Sequence, residues 1–195
     1  MHRNLKPLTR IAHEQLSGLL QPGDLAVDAT AGNGHDTLFL ARTVGEAGHV
    51  WAFDIQTAAL DATRKRLDEA GVADRATLIQ DGHQHLDRHL PDHARGRIRA
   101  VTFNLGYLPG GDHGIITRPE TSLAALEAAR AVLGPDGVIS LMIYRGHSGG
   151  LEEFEAIRTW LKQAHPELHC LPHQPAGDDG PVLVLLGNSL PCPDC

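Results

Sequence analysis

The feature that most constrains this chain is a regular alternation of short, β-rich apolar runs with longer segments of helical periodicity, broken by no internal repeat or low-complexity stretch. Strands are expected at Leu25 to Ala29, His49 to Asp54, Ala76 to Gln80, Ile98 to Asn104, Val138 to Tyr144, Leu168 to Leu171 and Val182 to Leu186. Helical patterns fill the intervals at Asp36 to Val44, Thr57 to Ala70, Pro119 to Leu133 and Leu151 to Ala164, with a shorter one near His83 to Leu90. An N-terminal helix from Leu8 to Leu20, ended by Pro22-Gly23, precedes them. Strands that alternate with helices join through crossovers, so the pattern predicts one α/β unit with a mostly parallel sheet covered on both faces. Gly134-Pro135-Asp136-Gly137 is expected to stop one helix and turn the chain into the strand at Val138.

A length of 195 residues suits one domain with a real core and is short for two. Apolar residues at 42% and charged residues at 21% exclude a mostly disordered chain. No apolar run nears the roughly 20 residues that span a bilayer, and Met1 to Pro7 has no secretory signal, so a cytoplasmic protein is expected. Three cysteines, two of them in Cys192-Pro193-Asp194-Cys195, cannot form a disulfide framework, and no metal site is expected. The net charge of −7 argues against a protein that coats nucleic acid. Residues 150–195 hold 7 acids and 2 bases, however, which leaves the first three quarters nearly neutral at 17 acids and 15 bases.

The segment Asp28-Ala29-Thr30-Ala31-Gly32-Asn33-Gly34-His35-Asp36-Thr37 runs from a strand through a glycine turn into a helix. Gly32 and Gly34 let a ligand approach the backbone, and the helix start offers unpaired N–H groups. A dinucleotide fingerprint would have a third glycine at Thr37, and Asp28 suits a cation better than a pyrophosphate. Asp54, followed by Ile55-Gln56, ends the second strand, where a carboxylate can hold a ribose diol. Asp81, followed by Gly82, directly follows the third, where one can accept from an adenine amino group. Three acidic strand ends around a glycine loop suit S-adenosylmethionine, which is positive and carries no phosphate. Taken singly, each acid reads equally as a solvated strand end or a helix cap.

After the fourth strand, Leu105 to Arg118 has neither helical nor strand periodicity and lies where ligands bind in open α/β sheets. Its start, Asn104-Leu105-Gly106-Tyr107, resembles the Asn-Pro-Pro-Tyr loop with which class I S-adenosylmethionine-dependent amino-group methyltransferases hold their target nitrogen, with Leu105-Gly106 in place of Pro-Pro. Together with Asp28 to Thr37, Ala52 to Gln56, Phe103 to Asp112 and Tyr144-Arg145-Gly146-His147, it resembles the small bacterial methyltransferase family first labelled rRNA methylases. The resemblance runs from about Ile11 to Leu186.

The resemblance implies a Rossmann-like class I methyltransferase fold, with a seven-stranded, mostly parallel sheet in the order 3-2-1-4-5-7-6. It implies one domain over residues 1–187, with 1–22 as a helical extension and 188–195 as a flexible tail. It also implies S-adenosylmethionine as cofactor and methyl transfer to the aminomethyl nitrogen of a wobble uridine in the anticodon stem-loop of tRNA. The cofactor set is Asp28, Thr30, Gly32, Asn33, Gly34, His35, Asp36, Thr37, Asp54, Ile55, Gln56, Asp81, Gly82 and Asn104. Leu105, Gly106, Tyr107, Gly110, Gly111, His113, Tyr144 and His147 form the substrate set, and Asn104, Tyr107 and His147 are the catalytic candidates. Asn104 would aim the amine and Tyr107 would stack on the base. His147 reads either as the acceptor of the amine's proton or as a hydrogen-bonded loop histidine. Asp36 and Asp112 read as loop-shaping or capping residues.

RNA contacts are harder to read. Arg64-Lys65-Arg66 and the group Arg88, Arg95, Arg97 and Arg99 are interleaved with acids and fit a solvated surface equally well. With no appended RNA-binding domain in the sequence, the tRNA would be gripped by this domain or by a homodimer. Rival readings are methylation of rRNA or of a small-molecule or protein amine, a non-catalytic nucleotide-binding scaffold, and an NAD-dependent oxidoreductase.

Overall fold

A computed structural model describes residues 7–111, 114–164, 169–173, 180–187 and 190. The chain runs α1 (Leu8–Leu19), β1 (Leu25–Asp28), α2 (His35–Val44), β2 (His49–Asp54), α3 (Thr57–Glu69), β3 (Ala76–Gln80), α4 (Leu86–His89), β4 (Ile98–Leu105), α5 (Pro119–Val132), β5 (Leu133–Ile143), α6 (Gly150–Ala164), β6 (His169–His173) and β7 (Val182–Gly187). Short 3₁₀ turns lead into β3, α4 and β4. Most ends fall within two residues of those expected from the sequence, the scale on which helix and strand ends fray.

β5 is the exception, starting at Leu133 and not at Val138. Leu133 pairs with Ile98, the next ladder pair is Ala100 with Val138, and Gly134 to Gly137 loop out between them. Arg99 explains how that loop is held: its guanidinium donates to the carbonyls of Asp136 and of Leu19 at the end of α1. This arginine therefore ties the end of α1 to that loop, which removes it from the surface cluster read from the sequence.

The seven strands lie in the order β3-β2-β1-β4-β5-β7-β6, as expected. β1 pairs in parallel with β2 and β4, β2 with β3, and β4 with β5, while β7 inserts antiparallel between β5 and β6. Successive side chains of a strand point to opposite faces, and both faces are covered, so the central strands are mostly apolar, with Thr102 and Ser140 buried among them. Val27, Phe53, Val101 and Leu141 pack on one face with Leu126 and Ala129 of α5 and Ile157 of α6. Their neighbours Ala26, Val50 and Ala100 pack on the other with Leu16 of α1, Leu40 of α2 and Leu67 of α3. Ala12 of α1 also packs on Met142 and Leu183, which brings the helix across the sheet toward β5 and β7.

Leu190 is buried against the second of these clusters; the rest of 188–195, with Cys192 and Cys195, lies outside the described residues. No described helix is long and apolar enough to cross a membrane, and no described group of His, Cys, Asp or Glu forms a metal-binding cluster.

Candidate active site

The glycine loop between β1 and α2 is held from beneath and from the side. Gly32 and Gly34 both take positive φ, +52° and +76°, but for different reasons. A Cβ on Gly34 would sit 2.7 Å from the Cα of Thr63, so this glycine lets α2 pack on α3. It does not line the cavity, which corrects its reading as a ligand-approach position. A Cβ on Gly32 would meet Leu108 at an ordinary 3.5 Å, on the cavity side. Thr63 donates its hydroxyl to the Gly32 carbonyl (3.1 Å), and Arg66 donates to the Asn33 carbonyl (2.7 Å) and contacts His35 Nε2 (3.2 Å). Arg66, read from sequence as part of a basic surface stretch, is thus a brace for the loop.

Asp28 and Thr37, both expected at the ligand, are fully buried behind the loop and do not reach the cavity. The Thr37 hydroxyl donates to Asp28 Oδ2 at 2.6 Å and the Thr30 N–H to Oδ1 at 3.2 Å. Burial, aided by the negative charge of Asp36, pushes the Asp28 carboxyl up to about 7. A carboxyl whose pKa is raised on folding binds its proton more tightly when folded. Its contribution is therefore complete below about 4 and is lost as pH rises through about 7. Asp28→Asn should remove this dependence. Between pH 4.5 and 7.5 the stability of the variant relative to wild type should rise by on the order of 3 kcal/mol, read by urea unfolding at both pH values. A constant difference would mean that Asp28 does not titrate in this window.

A cavity of about 1120 Å³ runs along the carboxyl ends of the strands, larger than most single small-ligand pockets. Thr30, Gly32, Asn33, His35, Asp36, Asp54, Ile55, Gln56, Asp81, Gly82 and Asn104 lie on its wall. Asp54 takes the Gly32 N–H on Oδ2 and the Gln56 N–H on Oδ1, each at 2.9 Å, so it fixes the loop while each oxygen keeps a lone pair for a ligand. Asp81 is more committed: it accepts from Gly82 N–H, from His85 Nδ1 (3.0 Å) and from His89 Nε2 (2.7 Å). The hydrogen bonds from His89 and His85 hold it well below the ordinary carboxylate range. Beside it, burial lowers His83 to about 4, which keeps a neutral imidazole on the wall at neutral pH.

Asn104, at the end of β4, stands in the middle of this edge. Its backbone N–H donates to Thr30 Oγ1 (2.7 Å) and its amide Nδ2 to Asp36 Oδ2 (2.6 Å). The segment that follows turns back as a hairpin: Tyr107 bridges Ile116, and the Thr117 N–H donates to the Gly106 carbonyl (2.9 Å). Its return limb is pinned by Glu153 of α6, which accepts from Thr117 (2.8 Å) and from Ser122 of α5 (2.6 Å). Glu153 is fully buried, and burial raises its carboxyl above the usual range. Asn33 donates to the Pro109 carbonyl (3.3 Å), so the glycine loop and the hairpin touch.

Gly106, Tyr107, Tyr144 and His147 line the cavity, whereas three other expected substrate residues do not. Leu105 belongs to the core, and Gly110 and Gly111 form the turn beyond Leu108, where the Gly111 N–H donates to the Leu108 carbonyl. Asp112 and His113 lie outside the described residues. His147 Nδ1 donates to the Ser148 carbonyl (2.9 Å), and its ring meets Tyr107 edge-on. Its Nε2 is buried without a partner, close to Gly106 and Gly150.

Sequence reasoning missed several wall residues. Thr9 and His13, spaced i, i+4 on α1, share a face that reaches the cavity, but nothing in the sequence says that α1 crosses this edge. Arg118 and Arg145 add positive charge at the far end; both lie within segments singled out from the sequence, Leu105 to Arg118 and Tyr144 to His147, but are given no role there.

The sheet order, with its glycine loop after β1, acids at the ends of β2 and β3 and an asparagine leading into a hairpin at the end of β4, defines a class I methyltransferase fold. The chain belongs to the family described as Putative rRNA methylase, whose model matches residues 50–182, about two thirds of the sequence. It is similar in structure to a putative rRNA-methylase from Clostridium thermocellum (40% identity, TM-score 0.88, covering 95% of this chain and 99% of that one). A putative methyltransferase from Streptococcus mutans in complex with SAH is also similar (33% identity, TM-score 0.81, covering 93% and 98%). In sequence it is 42% identical over 163 residues to the chloroplastic tRNA (mnm5s2U34)-methyltransferase of Arabidopsis thaliana. That match covers 80% of this chain and 59% of the plant relative's length.

Proposed function

We propose that this chain is a cytoplasmic, S-adenosylmethionine-dependent methyltransferase acting on tRNA. Its target is the aminomethyl nitrogen of wobble 5-aminomethyl-(2-thio)uridine, which it converts to the 5-methylaminomethyl form. Asn104 carries the reading. Its amide nitrogen and backbone N–H are committed to Asp36 and Thr30, and its amide oxygen remains as an acceptor on a wall shared by the glycine loop and the Tyr107 hairpin.

The residues present fit the cofactor. At the glycine-loop end the charged wall residues are Asp36, Asp54 and Asp81, with no Lys or Arg among the described lining residues there, which suits a cationic ligand without phosphate. Asp54 would hold the ribose, with Ile55 and Gln56 beside it, and the Gly32 backbone leaves the approach open. When bound, S-adenosylmethionine supplies an electrophilic methyl group on a sulfonium. Asn104 Oδ1 accepts a hydrogen from the acceptor amine and aims its lone pair, so that proximity lowers the barrier. Tyr107 and Tyr144, the only tyrosines in the chain, are 41% and 38% exposed at the cavity and offer rings on which an unstacked base can lie. With Nε2 buried, His147 shapes the loop in this arrangement, and water takes the proton the ammonium loses. Arg118 and Arg145 give the far end of the cavity a charge suited to the phosphates of an anticodon stem-loop.

The test is incubation with labelled S-adenosylmethionine and tRNA from a strain lacking the final methylation, followed by nucleoside mass spectrometry, with rRNA in parallel. Label in 5-methylaminomethyl-2-thiouridine is the expected result, and label in rRNA alone would overturn the acceptor assignment. In the same preparations Asp54→Ala should weaken S-adenosylmethionine binding by roughly 1–3 kcal/mol, the cost of losing hydrogen bonds to a charged acceptor. An unchanged dissociation constant in the folded variant would remove Asp54 from the ribose site. Sedimentation of the tRNA complex distinguishes one bound copy from a homodimer.

A further inference from the structure

We propose that His13 and Asp36 are positioning residues that decide which end of the Asn104 amide faces the acceptor amine. The inference rests on the methyltransferase reading above and extends it to two side chains that touch neither reacting atom. Asp36, in the first turn of α2, gives each carboxylate oxygen one partner: Oδ1 to His13 Nε2 and Oδ2 to Asn104 Nδ2, both at 2.6 Å. His13 reaches Asp36 from α1. Its ring lies flat on Phe39, with centroids 4.0 Å apart and planes 4° from parallel, so its hydrogen-bonding direction is fixed.

The two ends of an asparagine amide have the same shape and opposite polarity, so the partner of one end decides what the other end presents. An ionised carboxylate has no proton to donate. It must therefore take the Asn104 NH₂, which leaves Oδ1 to accept from the amine. In the reversed orientation the NH₂ would donate to the amine's lone pair, the same pair that must attack the methyl carbon. A protonated Asp36 would permit that reversal, because its O–H could donate to Asn104 Oδ1.

His13 prevents this. Burial presses the Asp36 carboxyl toward its neutral form, and the hydrogen bonds from His13 and Asn104 reverse the effect and hold it below the ordinary carboxylate range. The other titratable groups acting on the pair are Asp28 at the end of β1, His35 on α2 itself and Tyr144 after β5, with Asp54 acting through Asp28. Loss of His13 removes the strongest of the opposing contacts, so the carboxyl should take up a proton at a higher pH.

The experiment compares wild type, Asp36→Asn, His13→Ala and His13→Gln as full chains. Side-chain amide spectra of ¹⁵N-asparagine-labelled protein, with the Asn104 pair assigned by its loss in Asn104→Ala, need neither cofactor nor RNA. One Asn104 amide proton should be shifted downfield by its carboxylate in wild type and lose that shift in Asp36→Asn. Single-turnover methylation of aminomethyl-tRNA at saturating S-adenosylmethionine should fall by at least about tenfold in Asp36→Asn. His13→Ala should move the acid limb of the rate profile to higher pH, and His13→Gln, which keeps an N–H donor, should restore it. An Asn104 signal unchanged in Asp36→Asn, or a wild-type rate and pH profile in Asp36→Asn and His13→Ala, overturns the proposal. If wild type fails to methylate this tRNA, the acceptor assignment is at fault, and the amide spectra still decide whether Asp36 orients Asn104.

Discussion

Gly34→Ala should destabilise the protein by about 3 kcal/mol or more, a large share of the stability of a domain this size. Two costs combine. At φ +76° and ψ 18° the residue is left-handed, which costs an L-residue roughly 1–2 kcal/mol relative to glycine. The added Cβ would also lie 2.7 Å from the Thr63 Cα, and because that is backbone, relief requires α2 and α3 to separate. Moving α3 would weaken the Thr63 and Arg66 contacts that hold the carbonyls of Gly32 and Asn33, so cofactor binding should fall with stability. Gly32→Ala is the control: its φ is also positive, but its Cβ meets nothing closer than a leucine methyl at 3.5 Å, and about 1 kcal/mol is expected. Thermal midpoints should separate the two, at 2–4 °C per kcal/mol for chains of about this length. Equal midpoints would show that the α2–α3 contact is loose.

Asn104→Ala should slow single-turnover methylation by roughly 100-fold, about 2.7 kcal/mol, while leaving cofactor affinity within about threefold. The truncation removes the acceptor for the amine hydrogen and frees Asp36 from one of its two side-chain partners. It leaves the backbone bond to Thr30, and with it the end of β4, in place. The separation of binding from chemistry is the informative part. A matching loss in cofactor affinity would mean that Asn104 holds the cofactor and not the acceptor, and wild-type turnover would remove it from the site.

The order of strands and helices was legible because apolar periodicity reports directly on which faces are covered, and here a continuous apolar strand such as Val50 to Phe53 is covered on both. The wall of the cavity was legible where strand ends, or the turns after them, carry an acid, an asparagine or a glycine, as at Gly32, Asp54, Asp81 and Asn104, since a parallel sheet brings all its carboxyl ends to one edge. Depth was not legible. Asp28, Thr37, Gly34 and Leu105 sit one residue or one turn from wall residues, yet they face the core or a neighbouring helix, and only packing decides that. Contacts between elements distant in sequence were equally hidden: His13 on Asp36, Arg66 on Asn33 and Glu153 on Thr117 span 23, 33 and 36 residues. The sequence by itself determined the alternation, the sheet it implies and the loops that carry the chemistry, because those follow from local periodicity and turn residues. Only the tertiary structure decided which polar groups face ligand and which brace the loop, because hydrogen-bond partners are set by the approach of helices whose angle and depth no local pattern encodes.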